Sequence, residues 1–151
     1  MSPSTLDHAG IEALVPHRGT MCLLDRLVAW DEVRIECTAT GHRDPAHPLR
    51  GRSGLMAGAA IEYAAQAAAL HGGLRAQATG APASPGYLAS AREVRLDAWR
   101  LDDLPASEDD ALRIVAERQA GDAGRLLYAF RVAHAGREIA SGRLAVVLDA
   151  A

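Results

Sequence analysis

The segment 55–74, LMAGAAIEYAAQAAALHGGL, constrains the fold more than any other part of the chain. It is dominated by alanine, the strongest helix former, and contains almost no β-branched residue, so it predicts a helix. Gly72 and Gly73 are expected to end that helix. Because the segment is small and apolar on nearly every side, it is typical of a helix enclosed by other structure. The rest of the chain is therefore expected to wrap around it.

A transmembrane helix is the alternative interpretation of such an apolar segment. Glu62, Gln66 and His71 interrupt it, and alanine contributes little to membrane insertion. We therefore expect the helix to lie in a protein core and not in a bilayer.

The residues on either side of the predicted helix alternate like β-strands. Before it, a short helix is expected over 6–14, with Thr5 or Asp7 as its N-cap and Pro16 as its end. The predicted strands cover 21–30, 34–40, 86–96, 111–119, 126–134 and 138–148. Two strands, one enclosed helix and four more strands lack the strand–helix alternation of a parallel sheet. The pattern predicts an α+β fold, a single domain over residues 1–151 in which an antiparallel sheet curls around one long central helix.

The composition excludes several classes of protein. A formal net charge of -3 gives no overall positive field to attract nucleic acid. The N-terminus lacks a basic start followed by an apolar signal segment, so the cytoplasm is the expected location. Cys22 and Cys37 match no zinc or redox spacing and are expected to be reduced core residues.

Two motifs carry a resemblance to a known family. The stretch 14–27, LVPHRGTMCLLDRL, contains a Leu-x-Pro-His-Arg run and a later Asp-Arg pair. The second stretch, 47–69, has a loop histidine, His47, followed by an acid-x-x-x-Gln pattern at Glu62 and Gln66. Together they resemble the 3-hydroxyacyl-[acyl carrier protein] dehydratases of the hot-dog fold. The loop departs from that family's usual His-Phe-Pro-Gly, and its His-Pro step is similar to the divergent branch associated with aryl polyene chains.

The resemblance implies dehydration of a 3-hydroxyacyl thioester to the trans-2-enoyl thioester, in fatty acid, aryl polyene or related synthesis. It also implies that His47 and Glu62 are the catalytic pair and meet across the two subunits of a dimer. A neutral imidazole suits His47 to the role of base. Glu62, about two turns inside the predicted apolar helix, is expected to be the acid because burial favours a protonated carboxyl. Gln66 is expected to hold the carboxyl or a bound water in place.

Gly54, Gly58 and Tyr63 complete the expected substrate site. Backbone N–H groups after Gly54, at the positive end of the helix, are expected to bind the thioester oxygen. Gly58 leaves room for an acyl chain beside the helix, and Tyr63 is expected either to line the tunnel or simply to pack. No cofactor and no metal are expected, since His42, Asp44 and His47 match no ligand spacing.

The implied partner is an acyl carrier protein that holds the chain on phosphopantetheine, with Arg50 and Arg52 as expected contacts. His17 and Arg18, with Asp25, are expected to fasten the N-terminal segment to the fold. The dimer is expected to be a homodimer or a heterodimer with a hot-dog paralogue. Two other functions stay open. One is a hot-dog acyl thioesterase, which uses a helix acid without a paired loop histidine, and the other is a non-catalytic partner of an active dehydratase paralogue.

Overall fold

The computed structural model describes residues 5–15, 19–80, 86–122 and 124–148. Leu148 is described by its backbone alone. Its elements, in chain order, are β1 (Leu6–Asp7), α1 (His8–Glu12), β2 (Arg26–Trp30), β3 (Arg34–Ala39), α2 (Ala60–Thr79), β4 (Gly86–Leu96), β5 (Leu112–Gly121), β6 (Arg125–His134) and β7 (Arg137–Leu148). Short 3₁₀ turns lie at Gly19–Met21, Gly41–Arg43 and Ala57–Ala59. Pro16, His17 and Arg18 fall outside the described residues, so what the sequence predicts for them stays a prediction.

The described strands pair in one antiparallel sheet of order β1-β2-β3-β5-β6-β7-β4. Helix α2 packs against β3, β5 and β6 in the middle of that sheet. Its buried side chains include Tyr63, Leu70 and Leu74, which join the core with Tyr128 and Phe130. The predicted antiparallel sheet around one long helix is confirmed.

The predicted bounds of the central helix are wrong at both ends. It begins at Ala60, because Leu55 and Ala57 pair with another segment: Leu101 N–H donates to Leu55 O at 2.8 Å and Ala57 N–H donates to Trp99 O at 2.9 Å. Gly72 and Gly73 do not end it, and the helix continues to Thr79 with Gly80 as its left-handed C-cap. A side chain at position 73 would press on the Leu14 carbonyl, with its Cβ 3.0 Å from the oxygen.

The first predicted strand begins too early. Residues 21–25 are not part of a strand, and β2 starts at Arg26. The buried Gln66 side chain accounts for the difference, because its amide bonds both Met21 O and Leu23 N–H, each at 2.8 Å. These backbone groups are therefore tied to α2 instead of to a neighbouring strand.

Two smaller predictions are confirmed. Asp7 caps α1, since its Oδ1 accepts a hydrogen bond from Gly10 N–H at 3.0 Å. Cys22 and Cys37 are free and buried. Burial raises the pKa of the Cys37 thiol to about 12, so this sulfur stays protonated.

Strand β4 forms an open, apolar edge of the sheet. None of its residues is buried, and Tyr87, Leu88 and Leu96 are exposed. On α2, Ile61 and Ala65 are only half-buried. An exposed strand edge of this kind offers unpaired backbone groups and apolar side chains to a second chain. Of the described helices, none combines the length and hydrophobicity that a bilayer span requires.

Candidate active site

His47 lies on the loop between β3 and α2 and contacts the helix through Tyr63. Its Nε2 atom is 2.9 Å from the Tyr63 hydroxyl, and Leu49 N–H donates to its Nδ1 at 3.1 Å. The imidazole is buried, at 8% exposure, and that burial lowers its pKa. The ring is therefore neutral near neutral pH. The sequence left open whether Tyr63 packs or lines a tunnel, and the structure shows that its hydroxyl holds His47.

Glu62 lies in the first turn of α2 and is half-buried. The expectation that it sits two turns inside a buried helix is wrong, because the helix begins five residues later than predicted. Gln66 reaches Glu62 Oε1 with its amide nitrogen at 3.5 Å, the limit of a hydrogen bond. Its shorter bonds go to Met21 and Leu23. Gln66 thus fixes the 21–23 segment more firmly than it fixes the carboxyl.

Gly54 has a packing role that the sequence does not reveal. Its φ of 105° lies in the region that favours glycine, and a Cβ there would come within 2.7 Å of Asp102 Oδ2. Its N–H donates to Gly51 O at 3.1 Å, and Leu55 N–H donates to Asp102 Oδ1 at 3.0 Å. Neither of these two N–H groups is therefore a spare donor for a thioester oxygen.

Gly58 is differently placed. In the described part of the chain its N–H makes no backbone hydrogen bond, and the residue is exposed. Gly58 lines a pocket of about 480 Å³ together with Met56, Ala57 and the segment 96–99. In that segment Trp99 is 86% exposed, a strong sign of a binding surface that sequence reasoning missed. Gly58 thus keeps the properties expected of a donor beside a bound acyl chain.

A polar cluster that no sequence spacing indicates lies beside the loop of His47. Asp110 accepts two hydrogen bonds from Arg43, both at 2.7 Å, and lies 2.8 Å from His134 Nε2. His42 is fully buried next to it, with Nε2 3.6 Å from Asp110 Oδ2, and among the described residues neither ring nitrogen has a hydrogen-bond partner.

Two histidines and one acid are metal-ligand types, and their ligand atoms lie within 4.8 Å of one another. Arg43, however, already sets a fixed positive charge against both carboxylate oxygens, where it opposes a cation. The hydrogen bond from Arg43 holds the pKa of Asp110 well below its usual range. Arg43 and Asp110 thus form an ion pair that fastens the Gly41–Arg43 turn to the segment just before β5.

The two arginines expected to contact a carrier protein differ. Arg50 pairs with the buried carboxylate of Asp102 at 3.1 Å. Arg52 is exposed on the same loop. Only Arg52 therefore keeps the freedom that the expected contact requires.

With this geometry in view, comparison with solved structures places the chain in the hot-dog fold. It is similar to a chain of the dehydratase heterocomplex ApeI:P from Xenorhabdus doucetiae, with a TM-score of 0.79 and 22% identity over 92% of this chain and 90% of that chain. It is also similar to a hypothetical thioesterase with coenzyme A from Streptococcus pneumoniae TIGR4, with a TM-score of 0.54 and 12% identity over 82% and 84% of the two chains. A putative thioesterase from Shewanella oneidensis has a TM-score of 0.55 and 15% identity over 81% and 80%. At these identities the likeness shows the fold.

The family follows from a second comparison. The family model described as ApeP-like, ApeP dehydratase, matches residues 9–150. The chain therefore belongs to the ApeP-like dehydratase family, which confirms the resemblance drawn from the two motifs. Among curated proteins, none matches.

Proposed function

We propose that the chain is one subunit of a two-chain hot-dog dehydratase that converts a 3-hydroxyacyl thioester into the trans-2-enoyl thioester. The substrate is an aryl polyene or related acyl chain carried on an acyl carrier protein. One observation carries the proposal. Just before α2, Gly58 lines an apolar pocket, and Glu62 follows about one helical turn later.

The chemistry of dehydration matches these groups. A base removes the proton from C2, the C2–C3 double bond forms, and the C3–O bond breaks as a carboxyl donates its proton to the departing hydroxyl. Negative charge develops on the thioester oxygen as C2 loses its proton, and an N–H donor such as that of Gly58 stabilises it. Glu62 is the proposed proton donor. No electrons are gained or lost, so the balance needs no redox cofactor.

A second chain is part of the proposal, because the surface around this site is open. β4 exposes Tyr87, Leu88 and Leu96, and Ile61 beside Glu62 is half-buried. The solved ApeI:P structure is named as a heterocomplex. We infer that an ApeI-like chain covers β4 and this face of α2, so that the site built on this chain's Glu62 takes its histidine from the partner.

A thioesterase is the second candidate, and the geometry of His47 favours it. Hydrolysis with a helix acid requires water at the thioester carbonyl but no paired loop histidine. The His47 ring makes hydrogen bonds at both nitrogens, so it is not available to a water molecule. In a thioesterase, as in a dehydratase, Glu62 would then be the reactive group. The two functions are separated by their products, because dehydration yields a conjugated enoyl group and hydrolysis yields a free thiol.

The test uses the chain alone and the chain co-purified with an ApeI-like partner. Short 3-hydroxyacyl thioesters, free and on carrier protein, are followed by enoyl absorbance and by thiol release. We expect the two-chain form to dehydrate and Glu62→Gln to lose about 10²-fold or more, the usual contribution of a general acid. Glu32→Gln is the matched control, because Glu32 is exposed between β2 and β3 and should change the rate less than about twofold. An unimpaired Glu62→Gln enzyme, or thiol release without enoyl product, would contradict the dehydratase.

A further inference from the structure

Both ring nitrogens of His47 are committed to hydrogen bonds with fixed directions. Leu49 N–H, at 3.1 Å from Nδ1, can only donate, so Nδ1 must accept. In the neutral ring the proton then lies on Nε2, which donates to the Tyr63 oxygen 2.9 Å away. This tautomer is assigned from the hydrogen-bond partners.

The surroundings hold this arrangement in place. Tyr63 is 1% exposed, and burial raises the pKa of its hydroxyl, so the phenol stays protonated. The same cause lowers the pKa of His47 and keeps the ring neutral. The pair therefore consists of two neutral groups joined by one directed hydrogen bond, in a buried setting where such a bond is strong.

A general base needs a free lone pair aimed at the proton that it removes. On His47 the only lone pair in the ring plane is the one on Nδ1, and Leu49 N–H occupies it. Nε2 already carries a proton and points to Tyr63. To act as a base, the ring would have to break both hydrogen bonds and leave its buried position.

We propose that His47 of this chain is a positioning residue and not the base of dehydration. Its ring donates a hydrogen bond to Tyr63 and so holds the loop before α2 against the helix. The consequence for catalysis rests on the proposed function. A two-chain dehydratase has two sites, and the site that uses this chain's Glu62 is then the one that carries the reaction. The base of that site then belongs to the other chain. The two sites of the complex are thus unequal.

The first experiment does not depend on activity. In the full chain labelled with ¹⁵N-histidine, long-range ¹H–¹⁵N spectra report which ring nitrogen carries the proton, and the His47→Gln spectrum assigns the signals. We expect a neutral His47 with its proton on Nε2, and a shift of that nitrogen in Tyr63→Phe. A proton on Nδ1, or rapid exchange between both nitrogens, overturns the proposal.

The second experiment measures kcat of the two-chain complex. Glutamine can still donate from about the position of Nε2, so His47→Gln should lower kcat by at most about fivefold. His47→Ala and Tyr63→Phe both remove the hydrogen bond, so they should lower kcat by modest factors that are similar to each other. The double variant His47→Ala/Tyr63→Phe should be no slower than either single variant, because both break one hydrogen bond. A loss of about 10²–10⁴-fold in both His47 variants is what a base predicts and overturns the proposal. If neither the wild-type complex nor any variant dehydrates, the proposed function is contradicted instead. The spectra then still test the hydrogen bond between His47 and Tyr63.

Discussion

Replacement of Asp102 by alanine should destabilise the fold more than any exposed acid does, because Asp102 joins its own segment to the loop before α2. Its side chain is 2% exposed, accepts hydrogen bonds from Arg100 and from Leu55 N–H, and pairs with Arg50. In Asp102→Ala the Leu55 N–H loses its partner in the core, which costs about 1–3 kcal/mol. The guanidinium groups of Arg50 and Arg100 are partly exposed and regain water. The total loss of unfolding free energy therefore stays near the low end for breaking a buried ion pair, about 3 kcal/mol.

For a chain of this length such a loss lowers Tm by about 6–12 °C, measured by calorimetry or urea unfolding at pH 7. Asp103→Ala is the matched control. Asp103 is 58% exposed and meets Arg100 only at 3.8 Å, so Tm should change by no more than about 2 °C. Equal effects of the two variants would refute the structural role given to Asp102.

The pH dependence of the Asp102 effect has a definite sign. The hydrogen bond from Arg100 holds the pKa of Asp102 well below its ordinary value. A lowered carboxyl pKa contributes stability that is complete above the ordinary value near 4 and is lost as the pH falls below it. The difference in unfolding free energy between wild type and Asp102→Ala should therefore be constant from pH 6 to pH 8 and shrink below about pH 4. A difference that persists undiminished at pH 2 would contradict the ion-pair explanation.

Three further predictions concern other parts of the molecule. Gly142→Ala should lower the unfolding free energy by about 1–3 kcal/mol, because the new Cβ would lie 2.9 Å from the Phe130 ring, and urea unfolding measures this. Arg52→Glu should raise KM for carrier-bound substrate and leave KM for a small thioester unchanged; an equal change in both would contradict a carrier contact. Burial lowers the pKa of His42 and His71, so the unfolded chain takes up more protons and the unfolding free energy should fall between pH 7 and pH 5; calorimetry that shows no change would contradict it.

Most of the sheet could be predicted from sequence because its signals are local. The last four strands are rich in strand-forming residues and are separated by turn residues, and their predicted ends differ from the observed ones by at most two residues. The start of α2 could not be predicted in the same way. It depends on Leu55 and Ala57 bonding to Leu101 and Trp99, partners more than forty residues away along the chain. Propensity alone extends a helix until a pairing of this kind stops it.

The candidate site shows the same division between local and distant signals. His47, Glu62 and Gln66 were found because they stand in motifs, and Gln66 proves to bind the backbone of residues 21–23. Asp102 and Asp110 carry no motif, although they hold the ends of the loop that contains His47 through Leu55 and Arg43. Their roles arise from arginines on another segment, Arg50 for Asp102 and Arg43 for Asp110, and a single sequence does not display such pairs.

The identity of a residue also does not fix its chemistry. An unperturbed imidazole suits a general base, and on that ground the sequence assigns the base to His47. The positioning role that we propose rests on one backbone N–H, from Leu49, which occupies the lone pair that a base requires. The position of Glu62 also differs from the expected one. Because α2 starts late, Glu62 lies in its half-buried first turn and not in the interior, beside the surface where a second chain would lie. Both shifts follow from backbone geometry, on the loop for His47 and at the start of α2 for Glu62. Under the proposed function they leave this chain the acid and the Gly58 donor, and the base is expected from the partner chain.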